Sequence, residues 1–467
     1  MNHWLEIDNS PLEEYLYRDF ELTEKGNIKS SATNLITAIV NPKFCQASKI
    51  FSGSVFYDTC SMSIKFLGKI KGENISKLTI RRWTDSMANL LGIEIEKEFG
   101  IKFSEKQMAS VIRYIANKVA INLPALYIKS LEYDGEKHIE KLLPKYLGVK
   151  VNPLNNWIME HMLVGMVKRI FEPGCKFDEI MVLTGEQGLG KTTFIEKLAL
   201  MPDWYCSLNN IKGKDAVSNL VGKVVVELEE FVALRNTKSA DEAKLFISAR
   251  TSTVRLPYER YSEDVDRTCI LIATTNDGTF LGDFSGERRY LPVEVMKDNI
   301  QISIMYDTEK FPQLEKISRK EHEKMIHDDF KGAVAEALYI YENNLHDFTL
   351  PKELRNDLNI VIQMHKNENR HVQNFYDFME WKDTKSTNPD ILCSAEFTNQ
   401  YSETNEKIFA ELMINEMMDC WELVVTEKSK KHIIDGKVRV SKKFYHRKHN
   451  ENSFKDDFVE ITEEVPF

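Results

Sequence analysis

An α/β fold with a largely parallel sheet is predicted for the middle of this chain, on three observations. A short apolar run, EIMVLT, leads into the glycine-rich octapeptide GEQGLGKT; two further apolar runs, KVVVEL and CILIAT, follow; and segments of helical period separate them. Short, nearly all apolar runs suit strands of a parallel sheet covered by helices on both faces. Between them KTTFIEKLAL and AVSNLVGK carry apolar residues four apart, and Gly222 is placed to end the second helix.

The flanks read differently. From 1 to 150 the pattern is mostly helical, with apolar residues three and four apart in WTDSMANLLGIEIEKEF and EKQMASVIRYIANKVAI. Pro153 and the turn-rich EPGC at 172–175 punctuate the entry to the α/β core, which is expected over 151–300. Charged helices such as KEHEKMIHDDFKGAVAEALYIYENNL then predict a lid or connector over 301–385. The polar stretch KDTKSTNPD precedes a final unit, 386–467.

The chain has 467 residues and a formal net charge of −10, so several domains are expected. A basic coat is excluded, although nucleic-acid contacts could still be concentrated in one loop or small domain. The seven cysteines form no CxxC pair and no Cys/His cluster, which speaks against a zinc site or a disulfide framework. MNHWLEIDNS has no basic region followed by an apolar run, and no stretch is long and apolar enough to span a membrane. The expectation is a cytoplasmic protein with no membrane partner.

GEQGLGKT satisfies the phosphate-loop pattern between a predicted strand and a predicted helix. Phosphate oxygens need several inward-pointing backbone N–H groups, hence the glycines, and the following helix adds its positive N-terminal end. Gly185, Glu186, Gln187, Gly188, Leu189, Gly190, Lys191, Thr192 and Thr193 are therefore the predicted ATP site. Lys191 would reach the β- and γ-phosphates, and Thr192 would offer its hydroxyl oxygen to Mg²⁺. Further on, VVVELEE ends an apolar run in Glu227, Glu229 and Glu230. One carboxylate would hold the Mg²⁺ shell and another would act as base; Glu227 as ligand with Glu229 or Glu230 as base is preferred. Most enzymes with this loop carry Asp at the first position, so Glu227 is a departure. CILIATTN ends in Asn276, placed to sense the γ-phosphate or the attacking water. Arg288 and Arg289 in GERRYLPVEV are of the type and in the place to stabilise a transferring phosphoryl group across a subunit boundary.

Taken together, SLEYDGEKHIEKLL, RIFEPGCKFDEIMVLTGEQGLGKTT, VVVELEEF, VRLPYERY and TTNDGTFLGDFSGERRYLPVEV resemble the virulence-associated protein E family, replicative ATPases of phages and of pathogenicity-island-like satellites. Within it the likeness is to satellite initiator helicases. The resemblance covers about residues 130–295. It implies an AAA+ core similar to superfamily III helicases, assembling as a ring, usually a hexamer, that translocates on single-stranded DNA. It implies that one of Arg288 and Arg289 is an arginine finger. It also gives VRLPYERY a pore-facing role, with Arg255, Tyr258 and Arg260 offering cations and a ring to DNA. Some relatives carry a primase ahead of the helicase; residues 1–150 show no paired-aspartate motif, so a separate primase and host replication proteins are the expected partners.

EKSKKHIIDGKVRVSKKFYHRKH, residues 427–449, is basic in an acidic chain, and Asp435-Gly436 reads as a hairpin turn. Helices before it would complete a small winged-helix-like module, with Lys437, Arg439, Lys442 and Lys443 on a wing gripping phosphates of origin DNA. The resulting expectation is an ATP-dependent DNA helicase and replication initiator of a mobile genetic element. The alternatives are an initiator that melts the origin and recruits a host helicase, or a nucleotide-switched regulatory ATPase.

Overall fold

The computed structural model describes residues 7–8, 10–45, 51–74, 79–211, 214–229, 237–254, 262–278, 280–281, 287–365, 367–386, 389–401, 409–410, 412–413, 421–434 and 437–448. Its strands in chain order are β1 (Phe51–Asp58), β2 (Ser63–Ile70), β3 (Ile80–Arg82), β4 (Ala120–Ile121), β5 (Ile180–Thr184), β6 (Tyr205–Leu208), β7 (Val225–Leu228), β8 (Thr251–Val254), β9 (Glu263–Asp266), β10 (Ile270–Thr275), β11 (Tyr290–Glu294), β12 (Ile391–Leu392), β13 (Trp421–Ile434) and β14 (Lys437–Arg447). Two compact units are present, one of Met1–Phe280 with Phe284–Ile362, the other of Leu281–Asp283 with Gln363–Phe467.

The larger unit is built on a five-stranded sheet of order β11-β5-β10-β7-β6, in which every neighbouring pair is parallel. The apolar runs dictate this: each residue of β5, β7 and β10 is buried, as expected for strands covered on both faces. Helix Lys191–Leu198 packs on β7 and β10, and helix Pro153–Phe171 on β5 and β10. The second of these begins where the sequence signals it. The Asn152 side chain accepts from the Asn155 N–H at 2.7 Å, and Pro153 occupies the first turn, where its missing N–H costs nothing.

Residues 1–150 are less helical than their period suggests. A four-stranded sheet of order β3-β2-β1-β4 lies among the helices, with β1 and β2 antiparallel along their whole length. The signal in β2 is a period of two, Phe66, Gly68 and Ile70 turning inward, and it is short enough to be lost beside the longer helical stretches. Helix Glu105–Lys118 packs on β1 and β2. Gly222 of the core fits closely against this sheet's β1–β2 turn, since a Cβ there would lie 2.6 Å from Ser61 Cβ.

The domain borders expected near 150 and 300 do not coincide with a division in the packing. Helix Arg319–Glu342, opened by a Ser318/Glu321 capping box, packs on helices Ile139–Leu147, Pro153–Phe171 and Lys191–Leu198. The first half of the expected connector is thus part of the larger unit, because its buried face, Ile326, Phe330, Val334 and Leu338, closes the same core.

In the smaller unit β13 and β14 pair antiparallel, with β12 on the other edge of β14. Ile434 pairs with Lys437, and the expected Asp435-Gly436 turn lies outside the described residues. The core is aromatic: Phe375, Phe378, Phe397, Phe409, Trp421 and Tyr445 are buried together. Lys382 and Glu396 form a buried ion pair at 2.7 Å. Among the described residues no helix is long and apolar enough to cross a membrane.

Candidate functional site

Because all five core strands run the same way, the ends of β5, β7 and β10 open on one edge of the sheet, where ligands of such sheets bind. The phosphate-pattern loop follows β5 there. Gly188 and Gly190 have φ of 82° and 85°, a conformation that only glycine adopts without strain. Gly190 also serves as the cap of helix Lys191–Leu198, which has no side-chain cap, leaving its first N–H groups facing the loop. A Cβ on Gly185 would sit 2.8 Å from the Val295 carbonyl, so the loop's first glycine is fixed by close approach of the chain after β11.

Lys191 is buried and its ammonium is held by three oxygens: the Gly185 carbonyl at 2.5 Å, the Glu186 carbonyl at 2.8 Å and Asn276 Oδ1 at 2.9 Å. Burial pulls its pKa down, and the nearby Glu227 carboxylate opposes that. Glu227 is fully buried at the end of β7. Thr192 donates its hydroxyl to Glu227 Oε1 at 2.9 Å, Thr274 donates to the same oxygen at 2.8 Å, and Tyr205 donates to Oε2 at 2.6 Å. Burial, then the bond to Glu227, pushes the Tyr205 phenol well above its ordinary value, so the proton stays on the donor.

A cavity of about 410 Å³ gathers the loop residues Gln187, Gly188, Leu189, Gly190, Lys191, Thr192 and Thr193 with Glu229, Thr274, Thr275, Asn276 and Met305. Glu229, in the turn just after β7, lines the cavity, whereas Glu227, within β7, is fully buried. Such an arrangement can hold an anionic oxygen cluster against N–H groups and one ammonium. It also presents one free-standing carboxylate to a water. Among the described residues no group of three or more His, Cys, Asp or Glu could hold a metal ion.

The remaining predicted residues lie elsewhere. Arg288 and Arg289 precede β11, which pairs in parallel with β5 from Tyr290 opposite Ile180; they therefore sit at the end of the sheet away from the chain's own loop. Arg289 turns inward, with Nε 3.2 Å from Ser248 Oγ and 3.3 Å from Asp178 Oδ2, whereas Arg288 is exposed. Glu230, Arg255, Tyr258 and Arg260 lie outside the described residues; β8 and β9, on either side of 255–261, pair as antiparallel arms. Lys437, Arg439 and Lys442 belong to β14 with side chains outside the described ones, and Lys443 is exposed. Sequence reasoning missed Tyr205 and Thr274. Thr274 shares the alternation of Asn276 and was within reach of a period-two argument; nothing in DWYCSL marks Tyr205.

Residues 128–356 match the family model of the virulence-associated protein E-like domain. No curated protein matches the chain. Among solved structures, the apo NrS-1 C-terminal region (305–718) is similar at 12% identity, covering 81% of this chain and 85% of that one, with a TM-score of 0.41. The A form apo structure of the same region is similar at 12% identity over 78% and 82%, TM-score 0.40. A further A form apo structure of that region is similar at 10% identity over 81% and 86%, TM-score 0.41.

Proposed function

We propose that this chain is an ATP hydrolase with an AAA+ core that drives DNA unwinding as a ring oligomer, a hexamer, and initiates replication of a mobile genetic element. The observation that carries the reading is the meeting of Lys191, Thr192, Glu229 and Asn276 in one cavity, with Glu227 hydrogen-bonded beneath Thr192. The residues fit ATP and Mg²⁺: glycines in left-handed backbone shape the loop, a buried ammonium faces its mouth, and the Thr192 hydroxyl donates its hydrogen bond to Glu227 so that its lone pairs remain for a hard cation. Mg²⁺ bound there would neutralise charge on the phosphate oxygens.

The roles of the chain's own groups follow. Lys191 binds the β- and γ-phosphates, exchanging part of its present oxygen cage for them. Glu227, expected from the sequence as a Mg²⁺ ligand, has hydroxyl donors on both oxygens and in this reading orients Thr192 instead. Glu229 accepts the proton of the attacking water, and Asn276, already bonded to Lys191, links the phosphate position to β10. Arg288 acts on the neighbouring subunit's phosphate, a role supported by its exposure and by its distance from its own loop, about one strand length or ~16 Å. The arms β8 and β9 would present Arg255, Tyr258 and Arg260 to single-stranded DNA in the pore. β14 would present Lys437, Arg439, Lys442 and Lys443 to origin DNA from a winged-helix-like module. The resemblance to the virulence-associated protein E family supports the replicative setting, with a separate primase and host proteins as partners.

Mixing experiments test the oligomeric part. Arg288→Ala should bind ATP yet lose turnover, and adding Lys191→Ala subunits, which bring an intact Arg288, should restore part of the rate. No restoration in such mixtures would argue against hydrolysis at a subunit boundary.

A further inference from the structure

A second cavity, of about 350 Å³, opens beside the phosphate cavity and shares Gly188, Leu189 and Met305 with it. Its other walls come from Tyr146 and from residues 297–311, with Ile300, Ile304 and Phe311 supplying apolar surface, Asp298 and Asp307 supplying acceptors, and Lys297 and Lys310 beside them. Its size is within the range of small-molecule sites, about 300–1,000 Å³, and its mix of apolar walls with a few polar groups is theirs too.

The walls are held in place from several sides. The Met296 N–H donates to the Leu147 carbonyl at 3.1 Å, and the Gln301 and Ile302 N–H groups both donate to the Lys145 carbonyl at 3.1 Å. His322 Nε2 donates to the Ser303 carbonyl at 2.8 Å, and Tyr306 donates its hydroxyl to the Ile317 carbonyl at 2.8 Å. Gly190 admits Ile304 against the loop itself, since a Cβ there would lie 2.6 Å from Ile304 Cγ2. Met305, 41% exposed, stands at the junction of the two cavities, an apolar side chain left where a ring could cover it.

We propose that this second cavity receives the nucleoside half of the nucleotide, its base packed on Met305, Ile304 and Phe311 and its N–H or ribose hydroxyl donors facing Asp298 and Asp307. The assignment rests on the phosphate-loop reading above and places nucleotide recognition on residues 297–311, downstream of the sheet. Truncating an apolar side chain on which the base packs is expected to weaken ATP about tenfold, equivalent to about 1.4 kcal/mol.

Calorimetric titration of the full chain with ATP and with inorganic tripolyphosphate separates the two halves. Met305→Ala and Phe311→Ala should each weaken ATP about tenfold and leave tripolyphosphate as in the wild type. Lys191→Ala should weaken both ligands. Wild-type ATP affinity in Met305→Ala and Phe311→Ala, or equal weakening of tripolyphosphate, would overturn the nucleoside assignment even with the loop's role intact. If instead Lys191→Ala binds both ligands normally while Met305→Ala still weakens ATP alone, the nucleoside site stands and the loop reading falls. Met305 is surface-facing, so its variant keeps the test informative should Phe311→Ala misfold.

Discussion

Three hydroxyls converge on Glu227, and that convergence separates it from the neighbouring acids. A buried carboxylate is tolerated only when its oxygens are satisfied, and here Thr192, Thr274 and Tyr205 do so from three different elements. Removing one donor strands part of a buried charge at a cost of about 1.5–3 kcal/mol. Tyr205→Phe should therefore lower hydrolysis and raise the Mg²⁺ concentration needed for half-maximal rate, with ATP affinity changed less; an unaltered Mg²⁺ dependence would remove Tyr205 from the positioning of Glu227. Arg288 and Arg289 should likewise separate. Arg289→Ala leaves Asp178 without its partner and should cost about 1–3 kcal/mol in unfolding free energy, whereas Arg288→Ala should leave stability unchanged and affect turnover alone. Chemical denaturation of the two variants measures both. At this scale the sequence was legible where a motif fixes spacing, as in the loop from Gly185 to Thr193, and at Asn276 by its place after an apolar strand. It could not show that Arg289 turns inward, since Asp178 and Ser248 are brought to it only by the fold.

At the scale of the elements, the loop is shaped by the chain that follows the sheet. Residues 295–305 approach Gly185 and Gly190 too closely for any side chain, and the same segment is anchored to the end of helix Ile139–Leu147 at Gly148. Gly148 has φ of 64°, and a Cβ there would lie 2.2 Å from the Met296 carbonyl. Gly148→Ala should then cost about 1–3 kcal/mol in stability and weaken ATP binding as well, because it displaces the segment lining the second cavity. Thermal unfolding together with ATP titration checks this; normal ATP affinity in a destabilised Gly148→Ala would uncouple the segment from the site. None of this was visible in the charged pattern after Val295, which reads as a connector, because contacts between residues some 150 apart leave no periodic trace. The β1–β2 pair was missed for a different reason: its eight-residue strands with internal glycines give a weak period-two signal.

At the scale of the whole molecule, the expected core strands are there, and their order, 5-1-4-3-2 when the five are numbered along the chain, puts the strand that leads into Asn276 between the loop strand and the acidic strand. Composition gave no indication of a nucleic-acid partner, since the net charge is −10; basic residues concentrated on β14 and on residues 255–260 are what the DNA reading rests on. Binding through phosphates must then be salt-dependent, and neutralising Lys442 and Lys443 together should weaken duplex binding and flatten its dependence on salt concentration. Unchanged affinity and slope would take β14 out of the DNA interface.

In the proposed function, nucleotide turnover is coupled to DNA. The rate of ATP hydrolysis by the full chain, with and without single-stranded DNA and with Lys191→Ala as control, tests it most directly. A rate that rises with DNA and vanishes in Lys191→Ala is the predicted result. Hydrolysis indifferent to DNA, or undiminished in Lys191→Ala, would contradict it.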